Sequence, residues 1–303
     1  MCFAIMGRRP NLFVVGSMKA GTSSLARYLG AHPDVFMTSD PKEPTYFLTR
    51  EQLLDVLPGV EKRGFWRGEE HYLRLFEAAG DRPVVGEASA NYARLNRVKG
   101  VPERIHAFDP DARILFIMRD PVERTLSHYW YMVRFFNEHR DLLTAIREDA
   151  DYVQTSDYAL QLRPYLALFG AGRVLAITTE ALADQPAATM ASVFGWLGVD
   201  PTHLPTNLSE RVNETPDVVT QVRGTGLLQQ FRHSGLWNAV GPRIPASLRR
   251  LGRKLAVRPV QRGAVDVAAA RRYLRPIQRA HVAALEQLLG RTFPEWKTLH
   301  GDE

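Results

Sequence analysis

Short apolar runs alternate with longer stretches of helical periodicity through the first two thirds of the chain. Leu12 to Val15, Asp34 to Ser39, a segment opening at Pro83-Val-Val, Ile114 to Met118 and Arg173 to Thr178 read as strands. Runs of this kind, apolar on consecutive positions and rich in β-branched residues, suit strands covered on both faces, as in a parallel sheet. The stretches between them predict helices. Asp120-Pro121-Val122-Glu123 is a helix start, with an acid at the N-cap, proline at the first position and glutamate at the third. Tyr129 to Arg147 reads as one helix with an aromatic side, Tyr158 to Phe169 as an amphipathic helix, and Ala187 to Leu197 as a helix closed by Gly198. Glu51 to Gly80 reads as mostly helical and polar, anchored by Phe65, Trp66, Tyr72, Leu73 and Phe76. A final helix is expected over Asp266 to Leu289, with a kink at Pro276. The resulting expectation is an α/β fold: one domain with a central parallel sheet of about five strands flanked by helices. Residues 1–10 form a short tail and 11–303 the domain, whose part from about 204 onward contributes a basic loop and closing helices.

The chain is organised around Asn11 to Leu29, which reads as strand, phosphate loop and helix. Gly16 and Gly21 reach backbone angles closed to other residues, and Thr22, Ser23 and Ser24 suit a first helical turn whose free N–H groups point into the loop. Such a place binds phosphate or sulfate. A nucleotide-hydrolase loop would carry lysine directly after the second glycine, but Thr22 stands there and the cation is Lys19. From inside the loop Lys19 reaches the bridging oxygen of an anhydride more readily than a terminal γ-phosphate. A second signal is Arg119, at the carboxyl end of a predicted strand, with Ser127 two turns into the following helix. Ligands of open α/β sheets bind at those carboxyl ends, which puts Arg119 beside the loop.

With these two motifs the chain resembles the sulfotransferases that use 3′-phosphoadenosine 5′-phosphosulfate, above all the branch of the heparan sulfate enzymes and their bacterial relatives. The resemblance implies a P-loop-like sulfotransferase fold. It also implies a donor site made of Ser17, Lys19, Ala20, Gly21, Thr22, Ser23 and Ser24 around the 5′-phosphosulfate, with Arg119 and Ser127 on the 3′-phosphate. Glu43, in Lys42-Glu-Pro-Thr-Tyr-Phe47, matches the family's general base, and Lys19 and Glu43 are the implied catalytic pair. Glu87, Ser89 and Tyr92 match residues beside the acceptor, while Ala88 stands where the heparan sulfate enzymes carry a catalytic lysine. Either another cation substitutes there or the acceptor differs. Arg223-Gly224 is the counterpart of a basic loop that closes over the donor. The basic stretch Arg243 to Arg262 approaches the donor or an anionic acceptor, or forms a solvated helical face. His128 and His139, as lone histidines beside aromatics, read as structural.

Bulk properties narrow the partners. The chain has 303 residues and a formal net charge of +6, a basic excess that suits an anionic ligand without identifying it. One cysteine, Cys2, excludes an internal disulfide framework and a cysteine-rich metal site. No metal is expected, because a sulfuryl group carries less charge than a phosphoryl group. The opening residues lack the order of a signal peptide, and no stretch reaches the about 18 apolar residues of a membrane span, so the expectation is a cytoplasmic, bacterial protein without a membrane anchor. Its expected acceptor is a hydroxyl or amine of a carbohydrate, lipid or other small molecule, and its state monomer or homodimer. Two other classes stay open. A P-loop kinase would need a lysine in place of Thr22 and a magnesium-holding acid, and a basic nucleic-acid-binding protein would leave the loop and the Arg119-to-Ser127 spacing unexplained.

Overall fold

The computed structural model describes residues 8–57, 68–136, 138–206, 208, 218–222, 257–262 and 265–301. Its first half runs β1 (Leu12–Gly16), α1 (Thr22–Gly30), β2 (Val35–Met37), α2 (Arg50–Val56), α3 (Glu69–Leu73), β3 (Val84–Ala88), α4 (Val101–Phe108), β4 (Arg113–Met118) and α5 (Pro121–Phe135). Then follow α6 (Leu142–Glu148), α7 (Asp151–Gln154), α8 (Tyr158–Phe169), β5 (Val174–Thr178), α9 (Thr179–Asp184) and α10 (Pro186–Leu197). The last described elements are β6 (Val218–Val222), β7 (Val257–Gln261), α11 (Ala268–Leu289) and α12 (Lys297–His300).

β1 to β5 form a five-stranded sheet in the order β2-β3-β1-β4-β5, every neighbouring pair parallel. The continuous apolar runs follow from this, because helices cover both faces and each alternate side chain meets a different layer. On β1, Phe13 and Val15 pack into one core and Leu12 and Val14 into the other. The first core holds α5, α8 and α11, with Trp296 and Phe293 stacked at 4.2 Å, and the second holds α1 and α10. Burying each such aliphatic or aromatic side chain contributes about 1.5–3 kcal/mol. The chain order reverses at β1, which has β3 on one side and β4 on the other. A crevice therefore opens at the carboxyl ends of β1 and β4.

The start of α5 is as the sequence predicts. Asp120 Oδ1 accepts the N–H groups of Val122 and Glu123, and its other oxygen takes Leu299 N–H at 3.0 Å, which ties α12 to the same corner. The end of α5 differs from expectation. The single helix expected over Tyr129 to Arg147 stops at Phe135, and the chain folds back before α6 begins at Leu142. Glu138 anchors the break by accepting Tyr152 O–H at 2.9 Å and the Arg140 guanidinium. Burial pushes the Glu138 carboxyl up, but hydrogen bonds from Arg140 outweigh it and hold the group at about 2. A tertiary carboxylate of this kind leaves no trace in helical periodicity. β6 and β7 pair antiparallel, an element with no forerunner in the sequence reading. Arg223, Gly224 and most of the basic 243–262 stretch lie outside the described residues, as do Phe65 and Trp66.

Candidate functional site

The loop between β1 and α1 is shaped by two left-handed residues, Lys19 (φ 71) and Gly21 (φ 97), the second being the N-cap of α1. Glycine takes this conformation freely, whereas at Lys19 the surroundings must hold it. Ala20 N–H bonds back to Ser17 C=O at 3.1 Å, and Thr179 Oγ1 donates to the carbonyls of Ala20 and Met118, pinning the loop to the end of β4. No side chain caps α1 and no acid stands in its first turn, so the N–H groups at Thr22, Ser23 and Ser24 and the positive end of the helix face the loop without an internal anion. Ser17 Oγ is fully buried and has no hydrogen-bond partner. A buried hydroxyl without a partner at the uncapped start of a helix fits an anionic guest.

Lys19 sits half-buried at the rim, its Nζ 5.1 Å from the centre of the Tyr131 ring. Burial pulls the ammonium down to about 8, and the positive charges of Arg119, Lys42, Arg134 and Arg124 push in the same direction. All four neighbours are cations. Arg124 is itself fully buried and directs its guanidinium to the Ser156 hydroxyl and the Tyr152 carbonyl, while the Asp151 carboxylate acts on it as a nearby opposite charge. Like charges gathered this closely are tolerable when an anion is to be bound among them.

Arg119 follows β4, its backbone fixed by Tyr158, whose hydroxyl accepts Arg119 N–H at 3.3 Å and donates to Arg119 C=O at 2.7 Å. The guanidinium is 3.7 Å from Glu123, a loose pair, since Arg271 holds the other Glu123 oxygen at 2.9 Å. Glu123 and Ser127 lie one turn apart on α5, so Arg119 reaches the helix face on which Ser127 sits. His128, buried beside Tyr152, is held well below the ordinary histidine range by burial and by Arg124, which keeps it neutral. His139 is exposed.

Glu43 lies on the loop after β2 and accepts from Asn91 Nδ2 at 3.5 Å. It shares with Thr22, Ser23, Arg27, Lys42 and Ala88 a cavity of about 450 Å³ beside α1. Ala88 is thus on the wall, and the cations of Arg27 and Lys42 line the space where a lysine at position 88 would have projected. A second depression, about 550 Å³ beside Asp111, Arg113, Arg173 and Trp196, lies at the amino ends of β4 and β5. That is the opposite edge of the sheet from the phosphate loop, where ligands of this architecture do not bind.

Glu87, Ser89 and Tyr92, expected beside the acceptor, are packed within the wall behind Glu43. All three are fully buried. Strand alternation turns Glu87 away from the face that carries Ala88. Tyr72 O–H (2.6 Å), Ser89 O–H (2.6 Å) and Tyr92 O–H (3.1 Å) all donate to Glu87. Ser89 Oγ in turn accepts Thr45 N–H at 3.0 Å, and Tyr92 O–H accepts Phe47 N–H at 3.2 Å. The trio therefore holds the segment after Glu43 from behind. Thr45 needs such support, because a β-branched residue at φ 54 costs about 1–3 kcal/mol. Lys42, Thr179, Tyr131 and Arg124 surround the loop, and sequence reading gave them no place there because they come from the segment after β2, from α9 and from α5, far apart along the chain.

Among the described residues no group of three or more histidine, cysteine or acidic side chains could hold a metal ion, and no helix is long and apolar enough to cross a membrane. A model of the Sulfotransferase family matches residues 10–203. Mus musculus heparan sulfate glucosamine 3-O-sulfotransferase 3A1 is 26% identical over 202 residues, covering 63% of this chain and 46% of that protein. Rattus norvegicus carbohydrate sulfotransferase 15 is 27% identical over 252 residues, covering 63% of this chain and 44% of that protein. The chain thus spans about half the length of the curated relatives it matches. Among solved structures, a sulfotransferase from Alicyclobacillus acidocaldarius matches with a TM-score of 0.66 at 26% identity, covering 96% of this chain and 99% of that one.

Proposed function

The chain belongs to the sulfotransferase family, and on that premise we propose that it moves the sulfuryl group of 3′-phosphoadenosine 5′-phosphosulfate to a hydroxyl or amine of a small-molecule or glycan acceptor. The observation that carries this reading is the loop between β1 and α1, where the buried Ser17 hydroxyl has no partner at the uncapped start of α1, beside a half-buried Lys19 whose ammonium burial and the cations Arg119, Lys42, Arg134 and Arg124 pull down to about 8. A basic, partly buried site of that kind suits a donor with several negative charges. In the proposed complex the N–H groups of α1 and the hydroxyls of Ser17, Thr22 and Ser23 hold the 5′-phosphate, with Ala20, Gly21 and Ser24 completing the loop around it. Arg119 and Ser127 take the 3′-phosphate, which an arginine fork suits.

The transfer is an in-line displacement. Glu43 removes the acceptor's proton as the acceptor oxygen or nitrogen bonds to sulfur, and the bond from sulfur to the bridging oxygen breaks. Lys19 stabilises the charge that collects on that oxygen, the kind of preorganised electrostatic help that dominates such reactions. Lys42 and Arg27 supply the positive charge that Ala88 does not, facing the same cavity as Glu43.

Calorimetric titration tests the donor. Wild type should bind 3′-phosphoadenosine 5′-phosphate in preference to ATP, ADP and 5′-AMP. Arg119→Ala should remove about 1.5–3 kcal/mol of that affinity, the usual value of a charge-assisted contact. Tighter binding of ATP, or an unchanged Arg119→Ala, would put a kinase-like use of the loop in its place.

A further inference from the structure

From Lys19 outward runs a row of aromatic rings that no step above uses. The Tyr131 ring stands 5.1 Å from Lys19 Nζ, and the rings of Phe135 and Phe136 stand 5.1 and 5.4 Å from Tyr131. Ser127, Tyr131 and Phe135 are spaced by four and share one face of α5, so the rings continue the face that carries the phosphate-site serine. Phe135 is 59% exposed, one of three large apolar side chains so exposed among the described residues, and the Arg134 guanidinium lies over its ring at 4.8 Å. The helix ends at Phe136, so the rings close the last turns of α5 outward from Lys19.

We propose that this row is the platform for the acceptor, and that the acceptor carries its hydroxyl on an aromatic ring, as a phenol does. The inference rests on the sulfotransferase reading. Two features select this occupant. Position is the first: Lys19 meets the bridging oxygen of the donor, so a ring 5.1 Å from its ammonium is next to the transferred group. The donor's adenine is separated from its sulfuryl by the ribose and the phosphate, whereas the acceptor's nucleophile has to touch sulfur. Charge is the second. Rings offset or edge-on to one another at 4.5–7 Å attract, and the cations of Lys19, Lys42 and Arg134, gathered at one place, favour the negative charge that grows on a phenol oxygen as its proton leaves. In the step itself the phenol O–H bond breaks and its proton passes to Glu43. The oxygen forms the new bond to sulfur, and 3′-phosphoadenosine 5′-phosphate departs with the electron pair of the old one.

The test uses the full chain with 2-naphthol as probe. Its binding to protein saturated with 3′-phosphoadenosine 5′-phosphate is measured by calorimetry, and its sulfation by steady-state rates, in wild type, Phe135→Ala and Tyr131→Leu. Phe135 is on the surface, so its truncation leaves folding intact, which a melting curve checks. The expected result is saturable naphthol binding and transfer, with KM and Kd for naphthol raised about five- to tenfold in each variant and donor-product affinity within about twofold of wild type. Three results would overturn the platform. In one, the donor product binds but naphthol neither binds nor accepts sulfate. In another, the variants weaken the nucleotide and leave naphthol unchanged, which would assign the rings to adenine. In the third, an oligosaccharide is sulfated at the same rate by wild type and both variants while naphthol is not. Failure of the wild type to bind the nucleotide at all would instead remove the sulfotransferase reading on which the platform depends.

Discussion

Lys19 and Glu87 are both withdrawn from water, at the carboxyl-end side of neighbouring strands, and the fold treats them in opposite ways. Lys19 follows β1 and keeps its charge among other cations, lowered by burial to about 8. Glu87 lies on β3, where burial pushes its carboxyl up to about 7 against the pull of three hydroxyl donors. A perturbed titration alone would mark both as reactive groups. What separates them is their partners: three hydroxyl donors within the protein meet Glu87, while the charges acting most strongly on Lys19 are other cations. Burial with satisfied hydrogen bonds makes a brace; burial with like charges and open donors makes a binding site.

Glu43 belongs with Lys19 in this contrast, and its replacement gives the sharpest test. Glu43→Gln should lower turnover by about 10²–10⁴-fold, the usual worth of a general base, with donor-product affinity and melting temperature unchanged. A loss of affinity in place of turnover would move Glu43 out of the chemistry. Lys19→Met comes next, with an expected loss of about 10²–10³-fold. Its pH profile sharpens the assignment. As pH rises through about 8 the ammonium loses its proton, so kcat/KM for the donor should fall in wild type above that pH and show no such limb in the variant. A limb that persists in Lys19→Met would belong to another group.

Glu87→Gln should show itself in stability, with turnover close to wild type. The carboxyl's folded value, about 7, stands above the roughly 4.3 of an unfolded glutamate. Its stabilising contribution is therefore complete below the unfolded value and is lost as pH rises through about 7. Relative to the glutamine variant, wild type should lose on the order of 3 kcal/mol of unfolding free energy between pH 4 and pH 8. Denaturant melts of both proteins across that range would check it. A difference independent of pH, or a turnover loss as large as that of Glu43→Gln, would erase the distinction between brace and site.

Much of the framework was legible along the chain, for physical reasons. The parallel strands stood out as unbroken apolar runs because both faces of the sheet are covered. The phosphate loop was visible because its turn demands glycine at Gly21, and the start of α5 because Asp120, Pro121 and Glu123 meet the needs of free helix N–H groups. The stop of α5 at Phe135 was not visible, since the aromatic periodicity continues past it and the cause is Glu138 reaching Tyr152 and Arg140. Glu87, Ser89 and Tyr92 were read as lining residues, and the fold buries all three. Their motif gives proximity to the site, while the direction of each side chain depends on the register of β3 against β1.

The sequence by itself determined the alternation of strands and helices, the glycine-bearing loop that leads into α1, and the placing of Lys19 within it. These depend on backbone sterics and side-chain period over a few consecutive residues. Only the tertiary structure decided that Lys42, Arg119, Arg124 and Arg134 converge on Lys19, that Glu87 is closed off by Tyr72, Ser89 and Tyr92, and that the Tyr131 ring stands beside Lys19 with Phe135 next to it. Desolvation and Coulomb energy sum over whatever lies within several ångströms, and those neighbours come from segments up to about a hundred residues apart, whose meeting is set by how the layers pack.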